Sequence, residues 1–264
     1  MKASESFALV RARAQRGQKL TGVGLLACCL AGCASAPVPE PGFRALFNGR
    51  DFAGWTRFDG SPVKGWKIED GVLSCLPDRK WEGGWNWTRL NGAAGGGGGD
   101  ICTVEKFRDF DLRLEFRLEG VVNSGIKYFY NADYAKGTAL EYQILDPDHP
   151  VPPQTTTEEF ENRRIGSLYY FFPAHAKPFL KPRGEWNEAR IVSKGRQVEH
   201  WLNGVRVLSY ERGGEAFRRA FEKTKWNKPK FTADGPWGEA SEGRILLQDH
   251  QDAVSFRNIR IREL

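Results

Sequence analysis

The chain has 264 residues, of which 40% are hydrophobic and 12% aromatic, a globular composition with enough apolar bulk for a core. Its formal charge is +6, but residues 1–32 hold five basic residues and one acidic residue, which leaves +2 for the remainder. A nucleic-acid partner needs a basic stripe on the folded domain. The sequence has none there, so we expect no nucleic-acid binding.

The N-terminus has the pattern of an export signal with a lipid attachment site. Basic residues precede an apolar run at 20–32, which is too short to span a bilayer, since spanning takes about 20 apolar residues. Such a run is typical of a secretory signal. Residues 30–33 (LAGC) match the lipobox, in which Cys33 becomes the first residue and carries a lipid. The alternative is an ordinary signal peptide with a chance cysteine.

These features divide the chain into three predicted parts. A signal peptide occupies residues 1–32, a lipid-anchored Pro-rich tether follows at 33–42, and one domain fills 43–264. About 220 residues suit one large β sandwich or barrel, and they would also suffice for two small domains. We expect the protein to be held in a bacterial cell envelope, at the periplasmic face or the outer surface, with the membrane reached through its lipid.

Two cysteines remain in the predicted domain, Cys75 and Cys102. An even number in an oxidising compartment favours pairing. A disulfide would close the Trp- and Gly-rich insert that lies between them, and two free thiols are the alternative.

The domain consists of short alternating runs broken by turn residues, a pattern typical of a β sandwich or barrel. One short helix is predicted at 214–223, and the stretches at 81–100 and 146–162 are predicted loops. The dipeptide at 203–204 (NG) indicates a hairpin. The predicted strands are residues 66–75 with an internal turn, 111–118, 125–130, 140–145, 189–193, 197–202, 205–210, 244–248 and 254–261.

Several sequence blocks occur in a fixed order along the domain. They are LFNGRD at 46–51, WKIEDGVL at 66–73, FDLRLEF at 110–116, NSGI at 123–126, EYQILD at 141–146, GEWN at 184–187, HWLNG at 200–204, LQDH at 247–250 and FRNIRI at 256–261. Together these blocks resemble the 3-keto-disaccharide hydrolase domain family over residues 43–264. The chain departs from the family mainly in the Gly-rich insert and at 155–164.

The resemblance implies an all-β, concanavalin A-like jelly roll of two packed antiparallel sheets. It also implies a carbohydrate substrate, a 3-keto-glucoside. The enzyme would act first as a 1,2-lyase that breaks the glycosidic bond and then as a hydratase that adds water to the resulting 2-hydroxy-glucal. An upstream sugar 3-oxidoreductase would supply the ketone. Such chemistry needs a general base near neutral pKa, an electrophile for the C3 oxygen and an acid for the leaving group.

Strand alternation selects the candidate residues, because residues i and i+2 share a face. Glu141 and His250 are the favoured acid/base or metal-binding pair. Lys127, Arg257 or a divalent metal would polarise the C3 oxygen, although no ligand spacing identifies a metal. The other candidates bind substrate hydroxyls or serve as a reserve ligand: Asn123, Gln143, Gln248 and Asp146. The alternative is a solvated strand face for Glu141 and Gln143, and a turn or core hydrogen bond for His250. For Lys127 it is a surface charge, and for Arg257 an ion-paired closing strand.

Three other functions are compatible with the same pattern. A retaining glycosidase needs two carboxylates about 5–5.5 Å apart, and the amide of Gln143 between Glu141 and Asp146 argues against it. A purely structural surface lipoprotein is a further alternative. A non-catalytic sugar-binding module would need aromatic platforms, for which the candidates are Trp81, Trp85, Trp87, Trp226 and Trp237.

Overall fold

The computed structural model describes residues 40–75, 98–131, 139–175, 179–232 and 237–264. The strands in these ranges are β1 (Arg44–Ala45), β2 (Trp55–Arg57), β3 (Trp66–Glu69), β4 (Val72–Cys75), β5 (Ile101–Thr103), β6 (Phe110–Leu118), β7 (Asn123–Tyr130), β8 (Leu140–Leu145), β9 (Trp186–Lys194), β10 (Gln197–Leu202), β11 (Val205–Glu211), β12 (Arg244–Leu247) and β13 (Val254–Glu263). The helices are α1 (Thr157–Glu161), α2 (Glu215–Glu222) and α3 (Pro229–Thr232).

The strands form two antiparallel sheets. The larger sheet runs β11-β10-β9-β6-β13-β4-β3, with β1 paired to β13, and the smaller sheet runs β2-β5-β12-β7-β8. Several neighbours in each sheet come from distant parts of the chain, as in β6 beside β13 and β12 beside β7. The protein is therefore a jelly-roll sandwich, which confirms the predicted fold class.

The core lies between the sheets and follows the alternation of the strands. In β6, Leu112, Leu114 and Phe116 are at most 1% exposed, whereas Arg113 and Glu115 between them are partly exposed. Each buried aliphatic or aromatic side chain of this kind contributes about 1.5–3 kcal/mol. The apolar residues at alternate positions of the strands thus account for the packing of the two sheets.

One histidine is part of this core. The Nδ1 of His200 donates to the Gly166 carbonyl at 2.9 Å, and its Nε2 accepts from the Tyr128 hydroxyl at 2.7 Å. Burial lowers the pKa of His200 to about 4, so the ring is neutral at pH 7. His200 therefore has a structural role in the core.

The predicted disulfide is wrong, because Cys75 and Cys102 are both free thiols. Cys75 packs into the core between the sheets. Cys102 lies on the opposite face of the smaller sheet, beside Tyr130 and Leu246. The two sulfurs therefore point into different compartments of the sandwich.

Several predicted features lie outside the described residues, among them the signal segment, Cys33 and most of the Gly-rich insert. They stay predictions. Within the residues that are described, no helix is long and apolar enough to cross a membrane.

Candidate active site

A polar cluster lies on the face of the smaller sheet that points away from the core. In β8, Tyr142 and Ile144 belong to the core cluster, so alternation turns Glu141 and Gln143 to the other face. These two side chains are nevertheless only 5% and 2% exposed. Loops cover this face and convert a sheet surface into an enclosed polar site.

A lysine stands opposite the glutamate. Lys127 in β7 is the cross-strand partner of Glu141. Its Nζ donates to the Asp100 Oδ2 at 2.8 Å, and the Asp100 Oδ1 accepts from the backbone N–H of Asp249 at 2.9 Å. Burial lowers the pKa of Lys127, but the charges of Asp100 and Glu141 outweigh it and the pKa is raised. The lysine is therefore a fixed cation beside Glu141.

Gly125 leaves room for the Glu141 carboxyl group. A Cβ at position 125 would lie 2.4 Å from the Glu141 Oε1 and 2.8 Å from its Cγ. No side chain fits there without moving the glutamate. This explains why the third residue of the NSGI block at 123–126 is a glycine.

Glu141 is the titratable group best suited to proton transfer near neutral pH. Its pKa is raised to about 7, because burial disfavours the carboxylate more strongly than Lys127 and Lys225 favour it. A carboxyl group with this pKa both accepts and returns a proton at physiological pH.

Asn123, Gln143 and His250 form a hydrogen-bonded chain beside this pair. The Gln143 Nε2 donates to the Asn123 Oδ1 at 2.9 Å, and the Asn123 Nδ2 donates to the His250 Nε2 at 3.2 Å. Burial, followed by the neighbouring His149, lowers the pKa of His250 to about 4. His250 is therefore a neutral acceptor at pH 7, which fits substrate positioning better than acid catalysis.

Two buried acceptors in the site receive no hydrogen bond from the described part of the chain. They are the Oε1 atoms of Gln143 and Gln248, which are inaccessible to solvent and have no partner among the described residues. A buried acceptor left unpaired costs free energy, and the hydroxyl groups of a bound sugar would supply the missing donors. These two atoms point to a ligand rich in O–H groups.

Sequence reasoning missed three residues of the site, Asp100, Arg163 and Lys225. Each lies in a loop, far along the chain from Glu141, and each acts on the charge of Glu141. Loop residues carry no alternation signal, so only the fold brings them together.

One predicted site residue, Arg257, lies elsewhere. Arg257 is in β13 of the larger sheet, where its Nε donates to the Glu115 Oε2 at 2.6 Å and its guanidinium lies 4.1 Å from the Trp186 ring centroid. The structure thus does not bring it to the site, because its strand register pairs it with Glu115.

Asp146, the predicted reserve ligand, is already bound within the protein. Its two oxygens accept from Arg183 at 2.7 and 2.6 Å. Burial raises the pKa of Asp146, but the Arg183 hydrogen bonds outweigh it and the pKa is lowered. This carboxylate anchors the end of β8 and has little capacity left for substrate.

Two further expectations concern tryptophans and metals. Trp226 and Trp237 stack on each other at 5.0 Å and are only 6% and 5% exposed, so they are packed rather than open platforms. Trp81, Trp85 and Trp87 lie outside the described residues. Among the residues described, no group of three or more His, Cys, Asp or Glu side chains is arranged to hold a metal ion.

Comparison with known proteins places this geometry in context. Residues 42–262 match the sequence model of the 3-keto-alpha-glucoside-1,2-lyase-like domain. A 3-keto-disaccharide hydrolase from Bacteroides thetaiotaomicron is 32% identical over 255 residues, which cover 86% of this chain and 80% of that protein.

Two solved structures from Parabacteroides distasonis, both described as glycosyl hydrolases, share the fold. The first is 30% identical with a TM-score of 0.68 and covers 84% of this chain and 94% of its own. The second is 23% identical with a TM-score of 0.56 and covers 84% and 99%. The range matched by the family model, residues 42–262, includes strands of both sheets and every described residue of the polar site.

Proposed function

Because the chain belongs to the 3-keto-alpha-glucoside-1,2-lyase-like domain family, we propose that it cleaves 3-keto-glucosides by elimination across C1–C2 and then hydrates the product. The observation that carries the proposal is a buried glutamate with a pKa of about 7, Glu141, held opposite the cation of Lys127. The name of the Bacteroides thetaiotaomicron relative, a 3-keto-disaccharide hydrolase, supports the substrate class.

The elimination step uses both residues. A ketone at C3 acidifies the proton on C2, and the Glu141 carboxylate removes that proton. The electron pair moves first to the C3 oxygen, where the Lys127 ammonium stabilises the enolate. Collapse of the enolate forms the C1–C2 double bond and expels the C1 oxygen substituent, which takes the proton now held by Glu141 and leaves as an alcohol.

Hydration of the 2-hydroxy-glucal reverses the order of the steps. The Glu141 carboxylate takes one proton from water as the water oxygen adds to C1, and protonated Glu141 then gives that proton, which comes from solvent, to C2. The net result is hydrolysis, with a 3-keto-glucose and a free alcohol as products. One carboxyl group with a pKa near 7 serves both directions, because it is populated in both protonation states.

The remaining site residues hold the sugar. The unpaired Oε1 atoms of Gln143 and Gln248 accept from its hydroxyl groups. Asn123 and the neutral His250 fix the orientation of the Gln143 amide through their hydrogen bonds. This set binds an oxygen-rich ring without adding a second acid.

The cellular setting is part of the same proposal. Lipidation at Cys33 holds the enzyme in the cell envelope, where it meets extracytoplasmic glycosides. The ketone must come from an enzyme that oxidises the C3 hydroxyl of the glycoside, so a sugar 3-oxidoreductase acts before this protein.

The proposal is tested by incubating the purified protein with a 3-keto-glucoside and with the matching unoxidised glucoside, with and without chelator. We expect glucal absorbance and free sugar from the ketone only. Glu141→Gln should lower turnover by about 10² or more, whereas Glu199→Gln, on the larger sheet, should not. Efficient cleavage of the plain glucoside would indicate a glycosidase, and binding of both sugars without turnover would indicate a binding module.

A further inference from the structure

Two cations of the site form no hydrogen bond or ion pair with an acidic side chain in the described part of the chain. Arg163 is only 8% exposed, yet within the described part of the chain its side chain makes no hydrogen bond or ion pair, and its Nε is both buried and unpaired. Lys225 lies at an exposed position, and its ammonium has no hydrogen bond or ion pair to any described residue. Both cations act on the charge of Glu141, but neither bonds to it. A buried guanidinium without a bonded counter-charge is costly, so Arg163 is held there for something other than stability.

Aromatic rings hold the two cations together. The Arg163 guanidinium lies 6.0 Å from the Tyr169 ring centroid, and the Lys225 Nζ lies 5.3 Å from the same centroid. The Lys225 Nζ is also 5.1 Å from the centroids of Tyr170 and Trp226. Tyr169 and Tyr170 are partly exposed. The result is two positive groups beside partly open aromatic faces.

This cluster adjoins the catalytic glutamate. The Tyr169 N–H donates to the Glu141 carbonyl at 3.1 Å, and the Gly166 N–H donates to the Gln143 carbonyl at 2.9 Å. The segment that carries Arg163 and Tyr169 therefore runs along the free edge of β8. Burial and the charge of Arg163 lower the pKa of Lys225 although Glu141 opposes them, as expected for an excess of positive charge.

The pair serves a different substrate group from Lys127. Lys127 lies in β7, on one side of β8, and the Arg163 segment lies on the other side. Adjacent strands are about 4.8 Å apart, so the two backbones are separated by roughly 10 Å. Lys127 is also neutralised by Asp100. The enolate oxygen of the substrate is the ligand of Lys127. The proposed reaction has no second anionic group for Arg163 and Lys225 to bind.

We propose that Arg163 and Lys225 bind the carboxylate of a hexuronic acid that is linked to the 3-keto-glucosyl unit. Arginine presents a planar fork that matches a carboxylate, and the neighbouring tyrosine faces suit the apolar side of a sugar ring. A lone phosphate would use the cations but not the rings. The inference rests on the proposed function and narrows its substrate to acidic disaccharides.

Binding tests the inference without requiring turnover. Calorimetry on the full-length protein would compare a glucosyl-glucuronic acid disaccharide, its glucosyl-glucose counterpart and inorganic phosphate. We expect the acidic disaccharide to bind about 10- to 100-fold more tightly than the neutral one, the range of a charged hydrogen bond. Equal affinities would overturn the inference, and so would binding of phosphate without any preference for the uronate.

Variants assign the preference to the two cations. Arg163→Gln and Lys225→Gln should each reduce the ratio of the two affinities toward one, and Arg163→Lys should reduce it partly, because it keeps the charge and loses the fork. The matched controls are Arg164→Gln and Lys223→Gln, neighbours whose exposed side chains pair with Glu161 and Glu158. A ratio that survives in both Arg163 variants would refute the assignment.

Kinetics then separates this inference from the proposed function. With the corresponding 3-keto disaccharides, kcat/KM should show the same preference for the uronate. If neither ketone is cleaved while the uronate still binds preferentially, the elimination mechanism fails and the carboxylate subsite stands. If both ketones are cleaved at equal kcat/KM, the mechanism stands and the subsite is refuted.

Discussion

Replacing Glu141 by Gln should stabilise the fold at high pH, and the structure gives the magnitude. Burial raises the pKa of Glu141 from 4.5 to about 7, so the folded state holds the proton more tightly than the unfolded chain does. Below pH 4.5 both states are protonated and nothing is lost. Between pH 4.5 and 7 the unfolded chain releases its proton first, and stability falls by about 1.4 kcal/mol per pH unit. Above pH 7 the loss is complete, at about 3 kcal/mol.

The assay is urea unfolding of the wild type and of Glu141→Gln at pH 4.5, 6 and 8. Glutamine is nearly isosteric and stays neutral, so the variant lacks this pH dependence. We expect its free energy of unfolding, relative to wild type, to rise by about 3 kcal/mol between pH 4.5 and 8. Glu199→Gln, at a part-exposed position, controls for the general effect of losing a charge. A difference between variant and wild type that is independent of pH would refute the buried-carboxylate argument.

Four further outcomes follow from the same structure. The kcat/KM for a 3-keto-glucoside should rise with pH through about 7 and then level off, because the base must be ionised; a flat profile would exclude this base. Lys127→Met should lower kcat by about 10² or more, whereas Arg257→Met should change it little, and the reverse order would move the site to the larger sheet. Cys33→Ser should release the protein from the membrane fraction or leave it as precursor, and unchanged partition and mass would exclude the lipid anchor. Unfolding the processed protein without reductant should expose two reactive thiols, Cys75 and Cys102; none would mean that they are bridged.

The strand pattern was readable because alternation and turn residues are local signals. The predicted bounds of Leu140–Leu145 and Gln197–Leu202 agree with β8 and β10, and the predicted helix at 214–223 agrees with α2. The short strands β1, β2 and β5 have too few residues to alternate visibly. The helix α1 was hidden in a Pro- and Thr-rich loop, although Thr156 and Glu159 form a capping box there.

The site was predictable only where it lies on strands. Glu141 and Gln143 share a face of β8 by period two alone, and the register of β7 against β8 places Lys127 beside Glu141. Arg257 obeys the same period but belongs to the other sheet, and sheet membership is a long-range property that no local pattern carries. The same limit explains the wrong disulfide prediction. Cys75 and Cys102 lie in strands of different sheets, and their spacing in the sequence does not show this.

The position of the C2 hydrogen tests the central claim most directly. The wild-type enzyme should be run to a few percent conversion of a 3-keto-glucoside in D₂O, and the 3-keto-glucose product analysed by NMR. Spontaneous exchange is subtracted with enzyme-free substrate and with product incubated alone. Elimination and rehydration place deuterium on C2, so we expect product that carries deuterium there from the earliest time point. Product that keeps its original C2 hydrogen would contradict elimination and show direct displacement at C1.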